Sequence, residues 1–175
     1  MTFEMPQFAL AAPEIWLGIM VCVVLVADLF DRSGEGRIAF FLTQLTLLVT
    51  IVLAFTTHWG GDSAITFNGM YVSDNLAALL KAASVGLAAL TIAYSRDYLR
   101  QRALLRGEFY LLVLIATLGM TVMASASSLL VLYIGLELLS LSLYALVAFN
   151  RESRVGSEAA MKHFVLCALS SGMLL

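Results

Sequence analysis

The chain has few charged residues, and this shortage excludes several classes of protein. Only 13% of its 175 residues are charged, 61% are hydrophobic, and the mean hydropathy is +0.94. A soluble globular domain is about 45–50% apolar and about 25% charged. The composition therefore predicts a membrane protein with no sizeable soluble domain. No basic tract is present that would bind nucleic acid.

The sequence is also poor in the residues that build metal, haem and nucleotide sites. Its two cysteines, Cys22 and Cys167, both fall in apolar runs, where cysteine usually behaves as a small hydrophobic residue. Histidine is too sparse for metal-ligand spacing, and Gly34 and Gly36 are too few for a dinucleotide fingerprint. The sequence thus predicts no redox centre, no metal and no nucleotide site in this chain.

The two ends of the sequence carry further expectations. Residues 1–16 lack the basic region of a signal peptide and contain Glu4 and Glu14 instead, so the first apolar run is expected to be retained as a span. The last residues, LSSGMLL, have no polar flank. This ending is typical of the N-terminal part of a longer protein.

Hydropathy divides the chain into six apolar segments, which predict an all-α, polytopic bundle of transmembrane helices in a single membrane domain, 1–175. A helix of about 20 residues crosses a bilayer, and the segments have about this length. They cover residues 14–30, 38–57, 75–95, 109–124, 128–149 and 158–175.

The basic residues predict the orientation of the bundle. Eight of the ten lysines and arginines fall in alternate loops, which the positive-inside rule assigns to the cytoplasm. The N-terminus is then outside, and the protein is expected to cross the membrane several times. These eight residues are Arg32, Arg37, Arg96, Arg100, Arg102, Arg106, Arg151 and Arg154.

Glu137 is the candidate for chemistry, because it lies near the middle of the apolar run 129–149. A carboxylate at that depth costs at least about 2.5 kcal/mol on insertion scales. Helical spacing places it on one face with Tyr133, Ser140 and Tyr144. One interpretation is a helix interface held by hydroxyl groups. The other is a proton or ion pathway, because a carboxyl group removed from water can take and release protons near neutral pH.

Lys162 and Lys81 are the two basic residues inside apolar segments. Lys162 and Glu137 differ in depth by roughly 10 Å at 1.5 Å per residue, which argues against a direct ion pair. Three other interpretations of Lys162 stay open. It is linked to Glu137 through water, it snorkels to the membrane interface, or it pairs with Glu158 one turn away. For Lys81, near the outer end of its segment, snorkelling is expected. His163 shares a helix face with Cys167. It is interpreted either as a packed side chain or as a residue that relays protons.

Three motifs at their present spacing, EFYLLVL, GLELLSLSLYALVAF and SEAAMKHFVL, resemble subunit N of bacterial NADH–quinone oxidoreductase, the respiratory complex I. The resemblance is close over residues 107–175 and looser upstream, where DNLAALLK fits it. The related antiporter-like subunits and cation/proton antiporter subunits are similar to a lesser degree.

The resemblance implies a protein of about fourteen transmembrane helices that pumps protons as part of an enzyme. It implies that Glu137 belongs to the proton-translocating machinery and that Lys162 aligns with a lysine of the family. The principal lysines of the family lie in later helices. It also implies that NADH, flavin, iron–sulfur clusters and quinone are held by other subunits. The expected partners are the other membrane subunits of complex I, antiporter-like ones included, and the lipid bilayer.

Two alternatives stay open at this point. A cation/proton antiporter subunit without quinone coupling fits the composition and Glu137 equally well. The other alternative is a structural membrane subunit. In that case the polar face of the fifth segment only holds helices together.

Overall fold

The computed structural model describes residues 8–30, 36–58, 64–102, 104–150 and 153–174. These residues form six helices and a two-stranded hairpin, so the predicted all-α class is confirmed. In chain order the elements are α1 (Ala12–Phe30), α2 (Arg37–His58), β1 (Ala64–Thr66), β2 (Tyr71–Ser73), α3 (Asn75–Gln101), α4 (Gly107–Ala124), α5 (Leu129–Val147) and α6 (Arg154–Leu174).

Five of the helices, α1 to α5, are long and apolar enough to cross a membrane. The sixth differs because its first half carries Glu158, Lys162 and His163, which lower its hydropathy. That α6 also spans the membrane stays a prediction. Of the residues used to predict the orientation, Arg32 and Arg151 lie outside the described residues.

The core lies among α1, α2, α3 and α4, where apolar side chains from each helix meet. Helix α5 packs mainly against α4, and α6 packs against α5. Only Gly135 and Ser142 of α5 and only Ala160 and Ser171 of α6 are buried, so these two helices form one side of the described structure. The core residues are Leu17, Val24, Ala39, Leu47, Val85, Ile92, Tyr110 and Leu114.

The segment between α2 and α3, which the sequence analysis treated as a loop, contains an antiparallel hairpin. Its register pairs Ala64 with Ser73 and Thr66 with Tyr71. The turn uses Asn68 and Gly69, both with positive φ, a conformation that Gly adopts at no steric cost and Asn tolerates. Each strand has only three residues, which is too short for hydropathy alone to reveal the hairpin.

At the opposite end of the bundle, Gly36 before α2 lies close to Gly107 at the start of α4. Gly36 has a φ of 56°, and a Cβ there would come 2.9 Å from the backbone nitrogen of Gly107. A Cβ on Gly107 would overlap the Asp28 carboxylate. An acidic group beside the first residue of α4 complements the positive end of the helix dipole. The glycines therefore allow α1 and the start of α2 to approach the start of α4.

Two glycines bring the backbones of α4 and α5 into direct contact. A Cβ on Gly119 would lie 2.8 Å from the Gly135 carbonyl oxygen, and a Cβ on Gly135 would lie 3.0 Å from the Gly119 oxygen. Small residues at such a crossing let membrane helices approach closely. This contact fixes the distance of α5 from the rest of the bundle.

Replacing Gly119 with Ala is expected to lower thermal stability, because the new methyl group forces the two backbones apart. Overpacking of this kind costs about 1–3 kcal/mol. The measurement is thermal unfolding of the full-length protein in detergent. Gly86→Ala in α3 is the matched control, because nothing lies within 4 Å of a Cβ there. Equal losses in both variants would contradict the close-contact explanation.

Candidate functional site

A cavity of about 310 Å³ lies between α5 and α6, and Glu137 forms part of its wall. The predicted common face of Tyr133, Glu137, Ser140 and Tyr144 is confirmed, since all four side chains line this one cavity. Leu141 completes the α5 side. The α6 side consists of Phe164, Cys167, Ala168, Ser171 and Gly172.

Glu137 itself has a buried oxygen, Oε1, that makes no hydrogen bond within the described residues. Its stripe neighbour Ser140 donates its hydroxyl proton to the Leu136 carbonyl oxygen, 2.8 Å away, and so does not use that proton to satisfy the carboxylate. A buried polar atom without a partner is rare and calls for an explanation such as a catalytic role. Hydroxyl hydrogen bonds among the described residues therefore do not satisfy this carboxylate oxygen.

The α6 side of the cavity is held by an aromatic contact and a weak polar one. The Tyr144 and Phe164 rings are 5.1 Å apart at an interplanar angle of 50°. His163 does not line the cavity, but its Nε2 lies 3.7 Å from Sγ of Cys167, which does. The expected face shared by His163 and Cys167 is thus present, and a role in proton transfer stays a prediction.

Lys162 lies on a different face of α6 and does not meet Glu137. Its side chain is 70% exposed and forms an ion pair of 2.7 Å with Glu158. Its other surroundings are a shallow apolar pocket lined by Met161, Val165 and Leu166. Of the interpretations left open for Lys162, the structure shows the local pair with Glu158.

The snorkelling predicted for Lys81 is wrong. Its side chain is 0% exposed, and its Nζ lies 2.6 Å from Oε1 of Glu14, an ion-pair contact rather than an aligned hydrogen bond. The ammonium also donates to the Tyr71 hydroxyl at 2.8 Å. The reason is that α1 and the hairpin bring a carboxylate and a phenol over this position of α3. The Lys81 side chain turns toward the interior of the bundle, where its charge is paired.

The Tyr71 hydroxyl is the centre of this group, which we call the Lys81 cluster (Glu14, Tyr71 and Lys81). It lies 3.0 Å from Oε2 of Glu14 and 3.0 Å from the Leu10 carbonyl oxygen, and it donates its single proton to one of them at a time. Burial, and then the Glu14 carboxylate, raise the pKa of Tyr71. The phenol therefore stays protonated at physiological pH.

The sequence contained a signal for this cluster. Glu14 and Lys81 are opposite charges near the ends of two segments that begin on the same predicted side of the membrane. Intramembrane charges usually pair with one another. Hydropathy did not indicate that Tyr71 belongs to the cluster, because the position of Tyr71 depends on the hairpin. Within the described residues, no group of three or more His, Cys, Asp or Glu side chains is arranged to hold a metal ion.

Comparison with known proteins places these features in a family. The sequence model described as "NADH:quinone oxidoreductase/Mrp antiporter, TM" matches residues 126–175, the part that contains α5 and α6. The chain is 57% identical to NADH-quinone oxidoreductase subunit N of Alkalilimnicola ehrlichii across 99% of the chain's length. The same protein of Halorhodospira halophila is 57% identical over 100% of the chain. The chain belongs to the subunit N family.

Structural comparison agrees with this membership. A chain of respiratory complex I from Thermus thermophilus with bound aureothin superposes with a TM-score of 0.75 at 29% identity. The match covers 91% of the present chain and 34% of the Thermus one. The present chain likewise spans about a third, 35% and 36%, of the two subunit N relatives. The chain therefore corresponds to about a third of the length of these related proteins.

Lys81 and Lys162 are expected to differ sharply in their effect on stability. Lys81→Met leaves the Glu14 carboxylate buried without its cation, which costs about 3–5 kcal/mol for a buried pair. Lys162→Met removes an exposed pair one helical turn apart, worth about 0.2–0.5 kcal/mol. Thermal unfolding of the two full-length variants is the measurement. Similar midpoints for both would show that the Lys81 ammonium is not held as described.

Proposed function

We propose that the chain is part of a proton-translocating membrane subunit of a bacterial NADH–quinone oxidoreductase. In this proposal the subunit couples quinone reduction, carried out elsewhere in the complex, to proton transfer across the inner membrane. The observation that carries it is the buried Oε1 of Glu137, which lies beside a cavity and has no hydrogen-bond partner in the part of the chain that the structure describes. Membership of the subunit N family supports the assignment.

Glu137 is the proposed proton carrier. In the proposal it alternates between a protonated state and a deprotonated state that a nearby cation stabilises. The energy of a charge pair in a low-dielectric interior changes strongly with separation. A displacement of a few ångströms by the cation then suffices to make the carboxyl group release its proton. Reduction of quinone shifts this equilibrium as a coupled event at a second site.

The cation that faces Glu137 is proposed to come from outside the described residues. Lys162 points to another face of α6 and is paired with Glu158, and Lys81 is held in its own cluster. Lys162 is proposed to take part in a different step of the same pathway, as its match to a family lysine implies. Tyr133, Ser140, Tyr144 and His163 are proposed to support proton movement around the cavity.

The proposed setting is a complex of membrane subunits, antiporter-like ones included, with the N-terminus of this chain outside. NADH, flavin, iron–sulfur clusters and quinone belong to other subunits in this proposal. The positions of two described arginines support the orientation, because Gly36, which precedes Arg37, lies against Gly107, which follows Arg106. The positive-inside rule assigns that end to the cytoplasm.

Replacing Glu137 with Gln is expected to preserve assembly and to lower the number of protons translocated per electron, because the amide is nearly isosteric and does not titrate. The measurement is proton uptake and NADH oxidation by membranes that contain the full-length protein. Ser142→Ala is the control, because that buried hydroxyl lies on α5 and donates only to the Leu138 carbonyl oxygen. A full proton yield with Glu137→Gln would refute the proposed role.

A cation/proton antiporter subunit is the second candidate, because the matching sequence model also describes Mrp antiporters. This protein class would use the same carboxyl group without quinone coupling. The proteins that co-purify with the full-length chain distinguish the two. Hydrophilic subunits with flavin and iron–sulfur clusters support the oxidoreductase, and a set of membrane proteins alone supports the antiporter.

A further inference from the structure

We propose that the Lys81 cluster is a positioning site for Glu137, which acts by holding the first residues of α5 through the hairpin. The proposal rests on the proposed function in one respect, that Glu137 is the group whose position matters. The cluster joins three elements, because Glu14 belongs to α1, Tyr71 to β2 and Lys81 to α3. It is placed within the fold by contacts that do not involve the cavity at Glu137.

The cluster is built as a fixed contact. Lys81 directs its ammonium at the Glu14 carboxylate and the Tyr71 hydroxyl and lies 5.0 Å from the centre of the Tyr71 ring. Positive and negative charges cancel, and all three side chains are buried. Removal of one member of a buried ion pair is costly, because it leaves the other charge without compensation. Tyr71 is thereby fixed through its side chain to α1 and α3.

The backbone around Tyr71 connects this contact to the turn between α4 and α5. The Val72 N–H donates to the Ser125 carbonyl oxygen at 3.0 Å, and the Ser127 N–H donates to the Met70 carbonyl oxygen at 3.0 Å. Between these two bonds Tyr71 pairs with Ala126. The turn is therefore attached to the hairpin by one isolated β-bridge and two backbone hydrogen bonds.

Helix α5 begins directly after this turn. Ser128 caps it, with its side-chain oxygen accepting from the Val131 N–H at 3.3 Å and its carbonyl oxygen accepting from the Leu132 N–H at 3.1 Å. Glu137 follows about two and a half turns later, roughly 13 Å along the axis. Among the described residues, the start of α5 and its contact with α4 are the features that set the rotation and depth of Glu137.

A change in that position is measurable through proton binding at Glu137. The titratable groups that line the cavity beside it are Tyr133 and Tyr144 from α5 and Cys167 from α6. Charge and dipole energies in a low-dielectric site vary steeply with distance. A shift of α5 along α6 therefore changes the pH at which Glu137 takes up its proton, even though the cluster does not touch it.

The test uses a hydrophobic carbodiimide, which modifies protonated carboxyl groups in apolar surroundings. Native membranes with the full-length protein are treated over a range of pH, and modification of Glu137 is quantified by mass spectrometry. Tyr71→Phe removes the central hydroxyl, and the double variant Glu14→Gln/Lys81→Met removes the ion pair. In both, the midpoint of labelling is expected to move by about half a pH unit or more. Tyr94→Phe, on an 88% exposed tyrosine of the same helix α3, is expected to leave it unchanged.

Stability separates positioning from a purely structural role. Glu14→Gln or Lys81→Met alone leaves one buried charge and lowers thermal stability, whereas the double variant leaves none and regains much of it. The labelling midpoint is expected to stay displaced in the double variant, because Tyr71 has lost its attachment. If the double variant fails to insert, Tyr71→Phe decides the question.

An unchanged midpoint in Tyr71→Phe would overturn the positioning role and leave the proposed function intact, because labelling does not depend on quinone reduction or pumping. An equal shift in Tyr94→Phe would overturn it as well, since the effect would not be specific to the cluster. Glu137 that remains unlabelled at every pH in the unmodified protein would count against the proposed function, and with it against this inference.

Discussion

Removal of charge from water is the constraint on which the arrangement of this chain depends. An ionised group in an apolar interior must be paired or must serve a function. The chain shows three outcomes along its helices. Lys81 is buried and paired, Lys162 is exposed and paired with a neighbour on its own helix, and Glu137 has a buried oxygen without a partner among the described residues. The contrast among these groups is the main reason to propose chemistry at Glu137.

The helices and the face that carries Glu137 were predictable because they depend on local pattern. Hydropathy over about 20 residues marks a span, and a spacing of three and four residues places Tyr133, Glu137, Ser140 and Tyr144 together whatever else the chain does. The predicted boundaries differ most at α3, which continues to Gln101 instead of ending at residue 95. Charged residues beyond the membrane reduce hydropathy without breaking a helix, so the extension left no signal in the profile.

The Lys81 cluster was not predicted because it depends on contacts between distant parts of the chain. Glu14 and Lys81 are 67 residues apart, and Tyr71 reaches both only because the hairpin folds over the ends of α1 and α3. Snorkelling was the local explanation for a lysine near the end of an apolar segment, and a long-range partner replaced it. The Asp28 carboxylate beside Gly107 is a second case of the same kind.

The glycine contact between α4 and α5 makes the two walls of the cavity mechanically unequal. Since the two backbones leave no room for a Cβ at Gly119 or Gly135, no side chain there can be compressed or rearranged to let α5 move closer to α4. Helix α6 has no comparable anchor among the described residues, and it faces the cavity with Phe164, Cys167 and small residues. Of the two walls, α6 is therefore the one whose displacement the described contacts restrict least.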